Sequence, residues 1–326
     1  MNVPLLSVRD LSVTFRVRPG GSPPWVRPKE LHAVRGVGFD LAPAETLGIV
    51  GESGSGKSTL ARSLIGTVPA TGGRALWQGR DLLALDPGER RPLRRDMQMI
   101  FQNPLGALDP RMTAGEIIAE PLVTHETGLS RHEITLRVKS LLERVGLLPE
   151  HTNRYPHEFS GGQCQRIGIA RALIVQPKLL ICDEPVSALD VSVQAQIVNL
   201  LRDLQRDFDL SLIFISHDLG VVKHIADRVL VFYLGRVMEY GATRDLVHDP
   251  RHPYTRALIA ATPVPDPAVE RGRPATGLEG ELPSPLSPPS GCVFRTRCPW
   301  ARQSCAEAVP ALQEHDDGRF VACPFG

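Results

Sequence analysis

The run Gly51-Glu52-Ser53-Gly54-Ser55-Gly56-Lys57-Ser58-Thr59 matches G-x-x-x-x-G-K-[ST] at every fixed position. A loop of this kind belongs between a buried strand and a helix. Thr46-Leu47-Gly48-Ile49-Val50 reads as the strand, and residues 60–66, with apolar Leu60, Leu64 and Ile65, read as the helix. Glycines let the backbone wrap a polyphosphate closely, and successive N–H groups with a helix N-terminus favour anionic oxygens. Lys57 is placed to reach β- and γ-phosphates, and Ser58 to ligate Mg²⁺. A turn that bound nothing would leave a buried lysine and serine without partners, so the pattern points to a nucleoside triphosphate.

Two further strand tips carry chemistry. Residues 178–184, Lys-Leu-Leu-Ile-Cys-Asp-Glu, form an apolar run that ends in two carboxylates. Such a run suits a fully buried parallel strand. Its tip suits Mg²⁺ coordination by Asp183 and water activation by Glu184. Residues 212–215 are a second buried strand ending at His217, which is able to hydrogen-bond a γ-phosphate. Residues 97–101 form a third, ending at Gln102, where the side chain faces the ligand crevice of an open α/β sheet and reaches the metal or the attacking water. Ser160-Gly161-Gly162-Gln163 opens a helix through Leu173 and reads as a second anion cradle. Ser187-Ala188-Leu189-Asp190 leads into a helix over 194–208.

Elsewhere the patterns are structural. Residues 5–8 and 12–16 read as two short strands joined by a turn at Arg9-Asp10-Leu11, and 18–28 as a Gly/Pro-rich loop. Phe15 or Trp25 offers a ring for an adenine. Residues 33–41 read as a strand, 75–78 as an edge strand before a Gly79-Arg80 turn, and 229–233 with 236–240 as a hairpin about Leu234-Gly235. Residues 114–149 are helical, with one apolar stripe at Ile117, Ile118 and Leu122 and another at Leu136, Val138, Leu141, Leu142 and Val145. That block is a candidate docking surface for a partner.

Lys plus Arg number 37 and Asp plus Glu 36 in 326 residues, so charge gives no argument for a nucleic-acid partner. No apolar run approaches the ~18–20 residues that span a bilayer. No basic stretch followed by an apolar core opens the chain. The expectation is a cytosolic protein that reaches a membrane only through a spanning partner. Six cysteines then suggest metal ligands or inert core positions rather than disulfides.

In order and spacing, residues 51–59, Gln102, 160–163, 179–184, 187–190 and His217 resemble the ATPase subunit of an ABC transporter over roughly the first 255 residues. Beyond them, His252-Pro253-Tyr254-Thr255, Glu281-Leu282-Pro283-Ser284-Pro285-Leu286 and Pro288-Pro289-Ser290-Gly291-Cys292 resemble the C-terminal extension of the oligopeptide/dipeptide import subfamily. The resemblance implies an α/β P-loop nucleotide-binding domain over 1–258, with a RecA-like core, an antiparallel β subdomain and a helical subdomain, and an extension over 259–326. It implies ATP and Mg²⁺ as ligands, and an ATP sandwiched between the phosphate loop of one subunit and the Ser-Gly-Gly-Gln of another, with Asp190 among the nucleotide-site residues. It also implies a second, non-identical ATPase, two transmembrane permease subunits, an extracytoplasmic binding protein, and a place at the cytoplasmic face of the inner membrane. Cys164 stands where this subfamily often has Arg, which puts the contact between ATPases in question, although Arg166 remains.

Past a Pro-rich linker over 263–289, Cys292, Cys298, Cys305 and Cys323 are spaced C-x5-C-x6-C-x17-C. A tail too short for its own core could be held by a metal. Zinc normally shows tighter pairs. The wider spacing and the resemblance favour a [4Fe–4S] cluster, with zinc as the alternative and His315 as a bystander. The leading expectation is an energy-coupling ATPase for peptide uptake. Related importers for nickel, glutathione or another small solute share the architecture. A soluble ABC ATPase of translation or repair would carry tandem cassettes or long coiled coils, and neither is present. A metal-sensing regulator would not need an intact Glu184 and His217.

Overall fold

The computed structural model describes residues 3–18, 25, 27–126, 128–262 and 280–326. In chain order, β1 (Leu6–Val17) and β2 (Lys29–Leu41) precede β3 (Thr46–Val50), which leads to α1 (Lys57–Leu64). Then come β4 (Gly72–Trp77), β5 (Arg80–Asp81), α2 (Pro87–Asp96) and β6 (Met97–Ile100). The helices α3 (Ala114–His125), α4 (Arg131–Arg144) and α5 (Gly161–Leu173) follow, then β7 (Leu179–Asp183), α6 (Val191–Asp207) and β8 (Ser211–Ser216). The chain continues through α7 (Leu219–Val222), β9 (Arg228–Tyr233), β10 (Arg236–Ala242), α8 (Thr243–His248) and α9 (Pro253–Ala261). It ends with α10 (Ser304–Glu307), β11 (Gln313–Glu314) and β12 (Phe320–Val321).

These elements form two compact units. The first gathers residues 1–41, 47–83 and 216–326, and the second 42–46 and 84–215. In the first unit, β2-β1-β4-β5 make an antiparallel sheet, and β11-β12-β10-β9-β3 lie side by side, with β3 parallel to β9. The second unit carries β8-β7-β6, all parallel, and helices α2 to α6. Every residue of β3, β7 and β8 is buried. Strands covered on both faces read as continuous apolar runs, which is why the sequence shows them so clearly.

Three expectations change. Residues 5–8 and 12–16 are one strand, because Asp10, at φ +49°, forms a bulge that shifts the pairing with β2 between Val8 and Leu11 without ending it. Residues 75–78 are not an edge: β4 lies between β1 and β5, and the tight turn has positive φ at Gln78 and Gly79. Leu136 is 54% exposed, whereas Val138, Leu141, Leu142 and Val145 are buried. The latter four follow the i, i+3, i+4, i+7 rule, and position 136 falls off that face. The helical block is divided into α3 and α4, each opened by a capping box, Thr113/Glu116 and Ser130/Glu133. Most of the expected Pro-rich linker lies outside the described residues.

Candidate functional site

In the first unit, β3 delivers the chain into the Gly51–Thr59 loop and α1 carries it away. A Cβ on Gly51 would lie 2.0 Å from Phe232 O, and one on Gly56 would lie 2.1 Å from Ala33 O, so only glycine fits at either place. Gly56 adopts φ +109° as the residue capping α1. Lys57 is buried and donates from Nζ to Gly51 O at 2.8 Å and Glu52 O at 2.9 Å. Its ammonium therefore lies inside the ring of the loop. Ser55 is buried, Ser58 and Thr59 half-buried, and Ser53 and Gly54 exposed. Gly235 N donates to Ser55 O at 2.8 Å, fixing the loop to the β9–β10 turn. A closed backbone ring at a helix N-terminus with a central cation is built for phosphate oxygens.

Glu52 is held from the far end of the chain. Arg297 Nη1 stands 2.9 Å from both Glu52 carboxylate oxygens and 3.4 Å from Tyr233 Oη. The Arg297 side chain is only 5% exposed. Glu52 N donates to Tyr254 Oη at 3.0 Å. Tyr233, Tyr254 and Phe294 pack edge to face or tilted, with centroids 4.7–5.4 Å apart. Burial pushes both tyrosine hydroxyls above their usual range, so both stay protonated at neutral pH. None of Tyr233, Tyr254 or Arg297 was assigned a role from sequence. Tyr254 carries one trace, the His-Pro-Tyr-Thr run; Arg297 carries none, 245 residues from its partner.

His217 also belongs to the first unit and is exposed just after β8. Phe15 is half-buried opposite Leu31 in the β1–β2 pair, while Trp25 is 82% exposed.

The second unit holds the acids. Asp183, at the tip of β7, is fully buried. Glu184 is also buried and takes φ +49°, a left-handed backbone that a non-glycine residue adopts only when its surroundings compel it. They do: Glu184 N donates to Ile215 O at 3.1 Å and Ser187 Oγ donates to Glu184 O at 3.2 Å. Gln102 Nε2 donates to Glu184 Oε2 at 2.9 Å, so these two expected site residues meet. Ser160 caps α5: its hydroxyl accepts from Gln163 N at 3.3 Å, and its own N–H donates to Gln163 Oε1 at 2.9 Å. Ser160 and Gly161 are exposed. Asp190, also exposed, stands at the start of α6. Cys164 points the other way. It is buried, donates to Pro156 O, and burial raises its thiol, so it is a core residue rather than a contact between subunits. Arg166 is spent internally, on Val145 O and Gln196 Oε1.

The tail cysteines lie in the first unit, close enough that Cys292 responds to Cys305 and Cys323, and Cys298 to the other three. Burial is the larger cause of the raised values of Cys292, Cys298 and Cys323, with Cys298 at about 11. Trp300 N donates to Cys298 Sγ at 3.3 Å and Arg302 N to Cys305 Sγ at 3.5 Å. Among the described residues, however, no three His, Cys, Asp or Glu groups are arranged to hold a metal ion. A single zinc draws its sulfurs to within ~4 Å of one another, since each bond is ~2.3 Å. The expected donors are gathered but do not fit that ion. His315 is taken by Arg251, 2.8 Å away.

The loop, the strand-tip acids and the serine-capped α5 are the parts of an ATP-binding cassette. Residues 34–187 match the family described as ABC transporter, and residues 238–305 the one described as oligopeptide/dipeptide transporter, C-terminal region. The oligopeptide transport ATP-binding protein OppF of Escherichia coli (strain K12) is 61% identical over 95% of this chain and 92% of its own. The putative oligopeptide transport ATP-binding protein YkfD of Bacillus subtilis (strain 168) is 51% identical over 98% and 95%. The ATP-binding cassette MJ0796, solved as a dimer in a post-hydrolysis state with ADP and Pi, superposes with a TM-score of 0.65 at 27% identity, over 73% of this chain and 99% of that one. The chain belongs to the ATP-binding subunits of ABC transporters, in the oligopeptide/dipeptide branch. ATP and Mg²⁺ are the ligands that membership implies. No helix among the described residues is long and apolar enough to cross a membrane.

Proposed function

We propose that this protein hydrolyses ATP to drive a membrane importer of oligopeptides or dipeptides. The observation that carries the reading is Glu184: a buried carboxylate at the end of a buried strand, locked in left-handed backbone and hydrogen-bonded by Gln102. That placement suits a general base, which takes the proton of a water attacking the γ-phosphate and is worth ~10²–10⁴-fold in rate. The 51–59 backbone and Lys57 hold the β- and γ-phosphates, and His217 hydrogen-bonds the γ-phosphate. Ser58, Gln102 and Asp183 are the groups that would hold Mg²⁺, whose charge neutralises the phosphate oxygens. Phe15 is the better-placed ring for adenine, because it is anchored in a strand.

The exposed Ser160 and Gly161, at the N-terminus of α5, support a cap on an ATP held by a second ATPase. Exposed Phe101, Leu105 and Leu148 in the second unit support docking to permease subunits. The names of the relatives favour peptides over nickel or glutathione, and the match over 238–305 favours a transporter over a soluble ABC ATPase. A non-identical second ATPase, two permeases and an extracytoplasmic binding protein complete the assembly, at the cytoplasmic face of the inner membrane. We also propose that the four tail thiolates hold a [4Fe–4S] cluster, supported by their mutual proximity and by N–H donors on two of the sulfurs.

Glu184→Gln tests the function. Turnover should fall at least 100-fold while Mg-ATP still binds. Wild-type turnover in this variant would remove the assignment, and co-purification with no spanning subunit would remove the importer.

A further inference from the structure

Away from the phosphate site, the first unit contains a cavity of about 210 Å³ walled by β2, β10 and the C-terminal tail. Its wall includes two arginines, Arg35 and Arg236, and Cys292. Both are half-buried, and burial lowers both guanidinium pKa values, with Arg236 lowering Arg35 further. Arg35 Nε reaches His32 O at 3.3 Å, and Arg236 Nε is buried without a hydrogen-bond partner. Among the described residues no carboxylate pairs with either arginine. Two desolvated like charges facing one cavity is a costly arrangement, and a bound anion relieves it. The remaining wall is largely apolar, including Val237, Met238, Val293 and Leu312. The volume lies below the ~300–1,000 Å³ of drug-sized pockets, so a ligand must be small.

We propose that this cavity binds a small organic anion, its carboxylate or phosphate between Arg35 and Arg236 and its apolar body against Val237, Met238, Val293 and Leu312. The site is wired to the phosphate loop. Arg35 N donates to Gly235 O at 2.8 Å, and Gly235 N donates to Ser55 O at 2.8 Å. An anion that ties Arg35 to Arg236 braces the turn on which Ser55 rests, and so tightens Mg-nucleotide binding.

The test is calorimetric titration of the purified full-length chain, with the phosphate loop filled by a non-hydrolysable Mg-ATP analogue. One arm uses inorganic phosphate and the other isovalerate, a carboxylate with a branched apolar end. Saturable one-to-one binding in either arm, weakened at least tenfold by Arg236→Gln and by Arg35→Gln, is the expected result. The arm that binds more tightly identifies the anionic group. No saturation by roughly 10 mM in either arm overturns the site, and so does binding unchanged in both variants. Binding present in the free chain but absent from the assembled transporter also overturns it, and assigns the arginines to an acidic partner. Thermal denaturation provides a check independent of affinity. Arg236→Met should melt higher than wild type without anion and lose the rise in Tm that anion gives wild type; the opposite pattern overturns the proposal. A Mg-nucleotide Kd unchanged by saturating anion overturns the coupling.

Discussion

Glu52 occupies a variable position of the phosphate-loop pattern, yet its carboxylate is committed to Arg297, 245 residues later. The pair matters because it stands where a triphosphate arrives. Without Arg297, an uncompensated carboxylate would face incoming phosphates, and the loop would lose its ion-paired tether to the tail. Breaking a buried ion pair by removing one partner costs ~3–5 kcal/mol; with Glu52 25% exposed, solvent screening reduces this to about 1–3 kcal/mol. Arg297→Gln should therefore weaken Mg-ATP binding by roughly 10–100-fold. Glu52→Gln in the same chain should restore much of the loss, because it removes the stranded charge. A nucleotide titration of the single and double variants decides it. Equal affinity in wild type and Arg297→Gln would make the pair a bystander. Glu184 teaches a related lesson at this scale. Its identity was legible as the second of two acids on an apolar strand, but its left-handed backbone was not, since that follows from the Ile215 carbonyl of a neighbouring strand.

Elements were legible where the pattern was local. The strand before the phosphate loop, the hairpin about Leu234-Gly235 and the serine-capped α5 all announce themselves within a dozen residues, and each appears as expected. What failed depends on pairing that leaves no local periodicity. Whether β4 is an edge is decided by β5, a two-residue strand with no periodicity to read. The pairing of β12 with β10 joins Val321 to Glu239 through one strand, β12, that is equally short. Helix α9 shows how such an element is tied in. His252 caps it, accepting Tyr254 N at Nδ1 (3.0 Å), and the fully buried Glu239 of β10 accepts from Arg251 N and His252 N. Burial lowers the His252 pKa to about 3. The unfolded chain takes up this proton near pH 6.5, the folded chain only near 3, so folding opposes protonation and stability falls as pH drops through that window. The slope is about 1.4 kcal/mol per pH unit, or about 2 kcal/mol between pH 6.5 and 5. His252→Asn, which can still cap the helix, should flatten this part of the urea-unfolding profile; an unaltered profile would place the titration elsewhere.

For the molecule as a whole, the tail residues 280–326 share a compact unit with the phosphate loop rather than standing apart. Arg297, the residue that grips Glu52, immediately precedes Cys298. Whatever fixes Cys298 therefore fixes one end of the loop's tether. Thiols raised by burial, with Cys298 at about 11, are protonated at neutral pH and gain nothing from being brought together. Ligation to the iron of the proposed cluster would remove those protons and use the proximity. Protein prepared without oxygen should carry roughly four irons and matching labile sulfide per chain, with broad visible absorbance. Cys298→Ser should lose the iron and also loosen Mg-ATP binding, because Arg297 loses its anchored neighbour. Chelating the iron from wild-type protein should reproduce that loosening without any substitution. Stoichiometric zinc in place of iron would remove the cluster, and an iron-free protein binding Mg-ATP as tightly as the loaded one would leave the tether dependent on packing of Tyr233, Tyr254 and Phe294.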